Sequence, residues 1–240
     1  MTLQSWAATH QGGRRTNQDR YISRPEIGLW AVADGAGGHE AGEVAATLVV
    51  EALAAIPVGL EPTPLLAAVC GAIDAAHAGT QVEAATRGGM VASTVVVLLA
   101  QAGFWACVWA GDSRAYLLRD GTLRQVTRDH SLVQELVDIG TLSPEAAEGH
   151  PHANVITRAV GAGDAALELD KVSDVLLLGD RFLLCSDGLT KCLSVEEIAT
   201  LLGAPGGVPP TELLLTAALA RGAKDNVTVL AVYGEEWRSE

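Results

Sequence analysis

Four aspartates stand where apolar runs meet glycine or polar turns, and that placement is where this chain could do chemistry. Ile27 to Ala33 reads as a short buried strand ending on Asp34, and a glycine-rich turn follows, Gly35-Ala36-Gly37-Gly38-His39. Phe104 to Ala110 runs into Gly111-Asp112-Ser113-Arg114. Phe182 to Ser186 runs into Asp187-Gly188, and Lys224-Asp225-Asn226 leads into Val227 to Leu230. Each aspartate alone is an ordinary turn former. Four carboxylates brought together without counter-ions would repel by several kcal/mol and shift one another's pKa values. Either they lie apart or cations hold them together. In the second case the ligands are all oxygen, with no His or Cys pair, which favours Mg²⁺ or Mn²⁺ over zinc or copper. Glycines beside Asp34 let backbone carbonyls approach the ion, because no Cβ stands in the way. Two such ions about 3.5–4 Å apart, bridged by a carboxylate and a water, produce a hydroxide at neutral pH placed for in-line attack on a phosphoryl group. The pattern predicts metal-assisted phosphoester hydrolysis.

The elements that must position these residues follow from hydrophobic period and turn residues. A strand is predicted over Ser5 to Thr9, followed by the polar loop Gln11 to Asp19. Val44, Leu48, Leu53 and Ile56 recur near helical spacing, predicting a helix from Glu40 to Ile56 that Pro57 stops. An alanine-rich helix is predicted from about Pro64 to Ala84, and both helices should pack one face on a sheet. Strands are expected over Thr94 to Ala100, Phe104 to Ala110, Arg114 to Arg119 and Thr122 to Val126, the last pair joined by an Asp120-Gly121 turn. Consecutive hairpins mean an antiparallel sheet. Helical periodicity returns over His130 to His152, with a helix start at Ser143-Pro144-Glu145. Strands resume at Arg181 to Ser186 and Asn226 to Tyr233. Between them lie helices Val195 to Leu202 and Pro210 to Arg221, separated by the loop Gly203 to Pro209.

The 240 residues fit one domain spanning 1–240. With 29 acidic against 16 basic residues, the net charge of −13 repels a polyanion, so no nucleic-acid partner is expected. No signal-peptide pattern opens the chain, which predicts a cytoplasmic protein. The run Val91 to Ala110 is about long enough to span a bilayer, but Gln101-Ala102-Gly103 interrupts it. A hairpin is expected there, and no membrane association. Cys70, Cys107, Cys185 and Cys192 lack metal-ligand spacing and suit reduced core thiols. Cys185 has no basic, phosphate-cradling loop behind it, and no nucleotide-hydrolase phosphate loop is present.

Six ordered motifs now carry a resemblance. Arg14-Arg15-Thr16-Asn17-Gln18-Asp19, Val32 to His39, Trp109-Ala110-Gly111-Asp112-Ser113-Arg114-Ala115-Tyr116, Thr127-Arg128-Asp129-His130-Ser131-Leu132-Val133, Ser186-Asp187-Gly188-Leu189 and Asp225-Asn226-Val227-Thr228 fall in the order and approximate spacing of one family. The chain resembles the metal-dependent protein serine/threonine phosphatases of the PP2C type, in particular the compact bacterial members. The resemblance covers about residues 5 to 233. It implies an α+β fold, a four-layer α-β-β-α sandwich of two mainly antiparallel sheets flanked by helix pairs, with a flap at about 130–158 beside the site. It implies that Asp34 bridges two metals, that the Gly35 carbonyl serves the second, and that Asp187 and Asp225 hold the first. Asp19 would bind a metal or orient its waters, and Asp112 with Asp187 would serve a third ion. Arg14 would clamp the substrate phosphate, a task suited to a bidentate guanidinium, with Arg15 as the near alternative.

The activity so implied is removal of phosphate from phosphoserine or phosphothreonine in proteins, without a covalent phosphoenzyme, by a monomer that counteracts a serine/threonine kinase. Two departures stand out. Ala36 occupies a position where some members carry a histidine proposed as general acid, and Gln18 one where some carry a glutamate ligand. His150 and His152 read as loop residues, because a His-x-His pair is poor evidence for a metal site. The competing readings are a phosphoprotein-binding module without turnover and a domain that uses metal only to fold.

Overall fold

Two antiparallel sheets, each collecting strands from distant parts of the chain, form the centre of the computed structural model, which describes residues 2–37, 40–163 and 165–235. Gly38 and His39, the end of the predicted glycine-rich turn, lie outside the described residues. One sheet has the order β1 (Thr2–His10), β11 (Val227–Glu235), β10 (Arg181–Cys185), β7 (Arg114–Arg119), β8 (Thr122–Gln125). The other runs β2 (Asp19–Arg24), β3 (Leu29–Ala36), β5 (Val95–Gln101), β6 (Phe104–Ala110), β9 (Asp170–Val175), with β4 (Ala92–Ser93) paired to the end of β3.

Alternation along each strand sends successive side chains to opposite faces, and here both faces are covered. Trp30, Val32, Val96, Leu98, Trp105 and Cys107 meet Leu117, Phe182, Leu184, Leu230 and Val232 between the sheets. Trp105 and Phe182 pack edge to face at 5.3 Å. The outer face of the second sheet, Leu29, Ala31, Val95 and Val97, lies under α1 (Ala41–Ala54) and α2 (Pro62–Arg87). The outer face of the first, Leu183, Cys185, Val229 and Ala231, lies under α6 (Val195–Gly203) and α7 (Pro210–Ala220). The result is the expected α-β-β-α sandwich. Double coverage explains why Val95 to Ala100 is apolar without a break.

The bilayer-length run is the β5–β6 hairpin, turned at Ala102 and Gly103, both at positive φ (51° and 80°) as a two-residue type I′ turn requires. By length and composition α2 is also apolar enough to cross a membrane, yet its Leu65, Val69, Ile73 and Ala76 are buried against the sheet.

The structure corrects several expectations. β3 does not stop at Asp34 but continues through Gly35 to Ala36, because Gly35 and Ala36 pair with Ser93 and Ala92. The 130–152 segment is two short helices, α3 (Leu132–Asp138) and α4 (Pro144–Glu148), capped by the side chains of Ser131 and Ser143. The hairpins β5–β6 and β7–β8 belong to different sheets, and the chain crosses between them at Gly111-Asp112-Ser113.

Instead of a simple turn, a one-turn helix, α5 (Asp187–Thr190), starts on Asp187. Gly188 in that helix lies against the backbone of Asn226, so close that a Cβ would sit 1.9 Å from the Asn226 carbonyl oxygen. Gly188→Ala is therefore expected to destabilise the fold by about 2 kcal/mol through overpacking. A denaturant midpoint unchanged from wild type would contradict this.

Candidate metal centre

Strand register brings the first two carboxylates together: Asp19 of β2 is the cross-strand partner of Asp34 of β3. Asp34 is held through its backbone. Its N–H donates to Thr94 Oγ1 (3.1 Å), and its carbonyl accepts from the Thr94 N–H (2.8 Å). The Thr94 and Ser113 hydroxyls are 2.6 Å apart, which ties Asp34 to the turn bearing Asp112. Ser186 links the two sheets. Its hydroxyl donates to Asp19 Oδ2 (2.8 Å) and accepts from the Thr228 N–H (3.0 Å), so the residue before Asp187 also fixes Asp19. Asn226, next to Asp225, donates to the Gln11 and Thr16 carbonyls (both 2.9 Å) and accepts from the Gln18 N–H (2.9 Å). That side chain holds the loop carrying Arg14 against the site.

Crowding of carboxylates shows in their protonation. Burial, then the charges of Asp187 and Asp225, push Asp19 up to about 6 despite hydrogen bonds from Thr228 and Ser186. Burial and Asp187 push Asp112 up to about 7. Asp34 is raised well above the usual range by burial and by Asp19, Asp187, Asp112 and Asp225 together. Asp187 is raised by burial against the pull of Lys191. Burial acts on Asp225 as well, but the Arg14 hydrogen bond and the charges of Lys191 and Arg14 outweigh it, and Asp225 is lowered.

Two cations serve these acids. Arg14 forks onto Asp225, Nε to Oδ1 at 2.8 Å and Nη2 to Oδ2 at 2.9 Å. Lys191 Nζ pairs with Asp187 Oδ2 and lies 3.5 Å from Asp225 Oδ2. Arg14, expected to face a substrate phosphate, thus engages a candidate metal ligand. Lys191 was not singled out from the sequence, although its place four residues after Asp187 puts both on one face of a helical turn.

Among the described residues no three His, Cys, Asp or Glu side chains close on a common point as they stand, and Lys191 lies beside two of the acids. The donor set nevertheless fits a hard divalent ion. It is all oxygen, its members raise one another's pKa values, and Asp19 Oδ1 and Asp112 Oδ1 are buried without a hydrogen-bond partner among the described residues. The Gly35 carbonyl oxygen lies against the first turn of α1, where a Cβ on Gly42 would come within 2.6 Å of it.

Other motif residues build the frame. Arg114 chelates Asp129 (Nη2 to Oδ2 2.7 Å), joining the Gly-Asp-Ser-Arg and Thr-Arg-Asp-His motifs. His130 accepts from the Gly111 N–H (3.1 Å) and stacks on Trp109. The two ends of the 130–158 segment are tied by backbone bonds, Thr157 N–H to His130 O and Leu132 N–H to Val155 O, both 2.9 Å. His150 and His152 lie beside each other in that segment, with ring centroids 5.5 Å apart. Cys185 is buried in β10 and its thiol is pushed up to about 12, so it supplies no thiolate at neutral pH.

Residues 8–205 match the family model for Protein phosphatase 2C. The chain belongs to the protein phosphatase 2C family. The serine/threonine protein phosphatase PstP of Mycobacterium tuberculosis is 40% identical over 219 residues, which are 90% of this chain and 42% of PstP. The 2C chain thus spans less than half the length of that curated relative. Among solved structures, PppA, described as a key regulatory component of the T6SS in Pseudomonas aeruginosa, superposes with a TM-score of 0.90 at 40% identity, covering 97% of this chain and 98% of PppA. The catalytic domain of PstP in complex with 2 manganese ions superposes at 0.82 with 37% identity, covering 98% of this chain and 99% of that one. Against this protein phosphatase 2C background, Ala36 ends β3 with no proton-donating side chain, and Gln18 is anchored through its N–H to Asn226.

Proposed function

We propose that this chain is a metal-dependent phosphoprotein phosphatase that hydrolyses phosphoserine and phosphothreonine in proteins and opposes a serine/threonine kinase. The observation carrying the reading is that strand register, a Ser186 bridge and the α5 start deliver Asp19, Asp34, Asp187, Asp225 and Asp112 to one end of the sandwich. Asp34, Asp19, Asp187 and Asp225, with the Gly35 carbonyl, would hold two Mn²⁺ or Mg²⁺ ions, and Asp112 with Asp187 a third. Such ions supply an activated water and neutralise charge on the phosphoryl group. Arg14, on a loop pinned by Asn226, would turn its planar fork from Asp225 to the substrate phosphate and orient it. Ser186 and Thr228 hold Asp19 in place, and Thr94 holds Asp34. Ala36 contributes no general acid, so the leaving oxygen receives its proton from solvent or from another group. The relative PstP is named a serine/threonine phosphatase, and its catalytic domain was crystallised with manganese; both support the reading.

The test is phosphate release from a phosphothreonine peptide and a small aryl phosphate, with Mn²⁺, with Mg²⁺ and with a chelator. Turnover is expected with either ion and a loss of about 10³-fold or more with chelator, while the far-UV circular dichroism persists. A domain that used metal only to fold would instead lose its dichroism. No turnover from folded, Mn²⁺-loaded protein would overturn the proposal and leave the binding module.

A further inference from the structure

We propose that Lys191 is a built-in counter-ion that competes with divalent metal for Asp187 and Asp225 and thereby sets the metal affinity of the centre. The inference rests on the reading above that these two aspartates are metal ligands. Lys191 follows directly on α5, and its N–H donates to the Asp187 carbonyl (2.9 Å), so the same helical turn fixes the acid and aims the ammonium at it. Nζ engages Oδ2 of Asp187 and approaches Oδ2 of Asp225, so one cation serves two acids from different elements. Asp112 feels the same ammonium, and Arg14 covers Asp225 as a second cation.

A carboxylate oxygen that holds Mg²⁺ does so at about 2.0–2.1 Å. An ammonium bound to the same oxygens would then face a dication a few ångströms away with little water between them, which is strongly unfavourable. Metal and ammonium therefore compete for Oδ2, the oxygen that Lys191 holds on each of the two acids. Lys191 can yield, because its side chain is 39% exposed and its four-carbon stem is flexible. The Asp187 backbone need not move, since its bond to the Lys191 N–H is independent of where Nζ points. In the stripped protein the ammonium offsets part of the repulsion among the acids and keeps them assembled. In the loaded protein it swings into solvent. The affinity observed for metal is the intrinsic one reduced by the work of breaking these ion pairs.

Titration calorimetry of Mn²⁺ into chelator-stripped protein tests this without an activity readout. Lys191→Gln is expected to bind its first Mn²⁺ about tenfold more tightly than wild type and to melt at a lower temperature when stripped. Lys191→Arg, which keeps the charge, is expected to show no such gain. Equal or weaker affinity in Lys191→Gln would overturn the proposal. Absence of Mn²⁺ binding in both wild type and variant would overturn the ligand assignment itself.

A second measurement uses the unaltered chain and covers the case in which the variant does not fold. The lysines are Lys171, Lys191 and Lys224, all exposed, so what sets Lys191 apart is its ion pairs with Asp187 and Asp225. Acylation of Lys191, followed by mass spectrometry against those two as internal references, is expected to be slow in stripped protein and about tenfold faster with Mg²⁺. An unchanged ratio would overturn the displacement.

Discussion

Asp34→Asn is expected to lower phosphate release by about 10³-fold or more, equivalent to about 4 kcal/mol of transition-state stabilisation, and yet to yield a protein that melts higher than wild type when both are stripped of metal. The two halves have one cause. Asp34 is opposed by its surroundings, raised well above the usual range by burial and by four other carboxylates. A neutral amide of the same shape removes that opposition. It leaves the fold alone, because Thr94 holds this residue through the Asp34 backbone N–H and C=O. It also removes the charge for which the centre is built, so metal affinity falls with activity. Phosphate release from a phosphothreonine peptide and paired melting curves check both halves. Full activity in the variant would remove the proposed mechanism, and a lower melting point would show that Asp34 serves the fold as well as the site.

The stripped protein should also lose stability as pH rises from about 4 to about 8. Asp19 and Asp112 carry folded pKa values of about 6 and about 7, above the 3.8 of an unperturbed aspartate, so across this window the folded chain binds more protons than the unfolded one. Stability then falls with pH: the penalty is absent below about pH 4 and complete above the folded values. Asp19 alone accounts for roughly 3 kcal/mol. Asp34 and Asp187, also raised, act in the same direction. His130 acts in the opposite one, since burial lowers its pKa and its neutral form is favoured, as do the lowered carboxylates such as Asp170, Asp225 and Glu197, whose contribution is largely complete by about pH 5. Bound Mn²⁺ should abolish or invert the trend by neutralising the acids. Denaturant midpoints at pH 5 and pH 8, with and without Mn²⁺, decide it. A stripped protein more stable at pH 8 than at pH 5 would mean that the carboxylates are not confined together.

Six of the strands legible from sequence, β3, β5, β6, β7, β10 and β11, are buried on both faces, because a central strand must be apolar along its whole length; the two edges of the first sheet were legible as well, β1 at Ser5 to Thr9 and β8 through its Asp120-Gly121 hairpin turn. β2 and β9 were not legible, and both lie at the edges of the second sheet. Asp-Arg-Tyr-Ile-Ser-Arg and Asp-Lys-Val-Ser-Asp-Val expose about half of their residues, which erases the apolar signal while the backbone still pairs. One of those unread strands carries Asp19, so its pairing with Asp34 was hidden too. The aspartates were visible as strand-end residues. What holds them was not, because Ser186, Thr94 and Asn226 are small polar residues whose meaning lies in partners 42, 60 and more than 200 positions away. Lys191 is the exception, since a base four residues after an acid at a helix start is a local signal.

The place of β11 in the first sheet has a kinetic consequence. It is the last strand described, yet it lies inside the sheet, with β1 on one side and β10 on the other. Its pairing with β1 runs from Thr2 opposite Glu235 to His10 opposite Val227, so contacts span nearly the whole chain. Until those residues leave the ribosome, β1 has no neighbour in its sheet and the Arg14 loop has no Asn226 to fold around. Contacts of such sequence separation slow folding. The β1–β11 pairing, Asp225 and the anchored Arg14 loop therefore form together, and a nascent polypeptide that stops short of Asp225 would hold an unpaired β1 and an acidic centre still lacking one of its carboxylates.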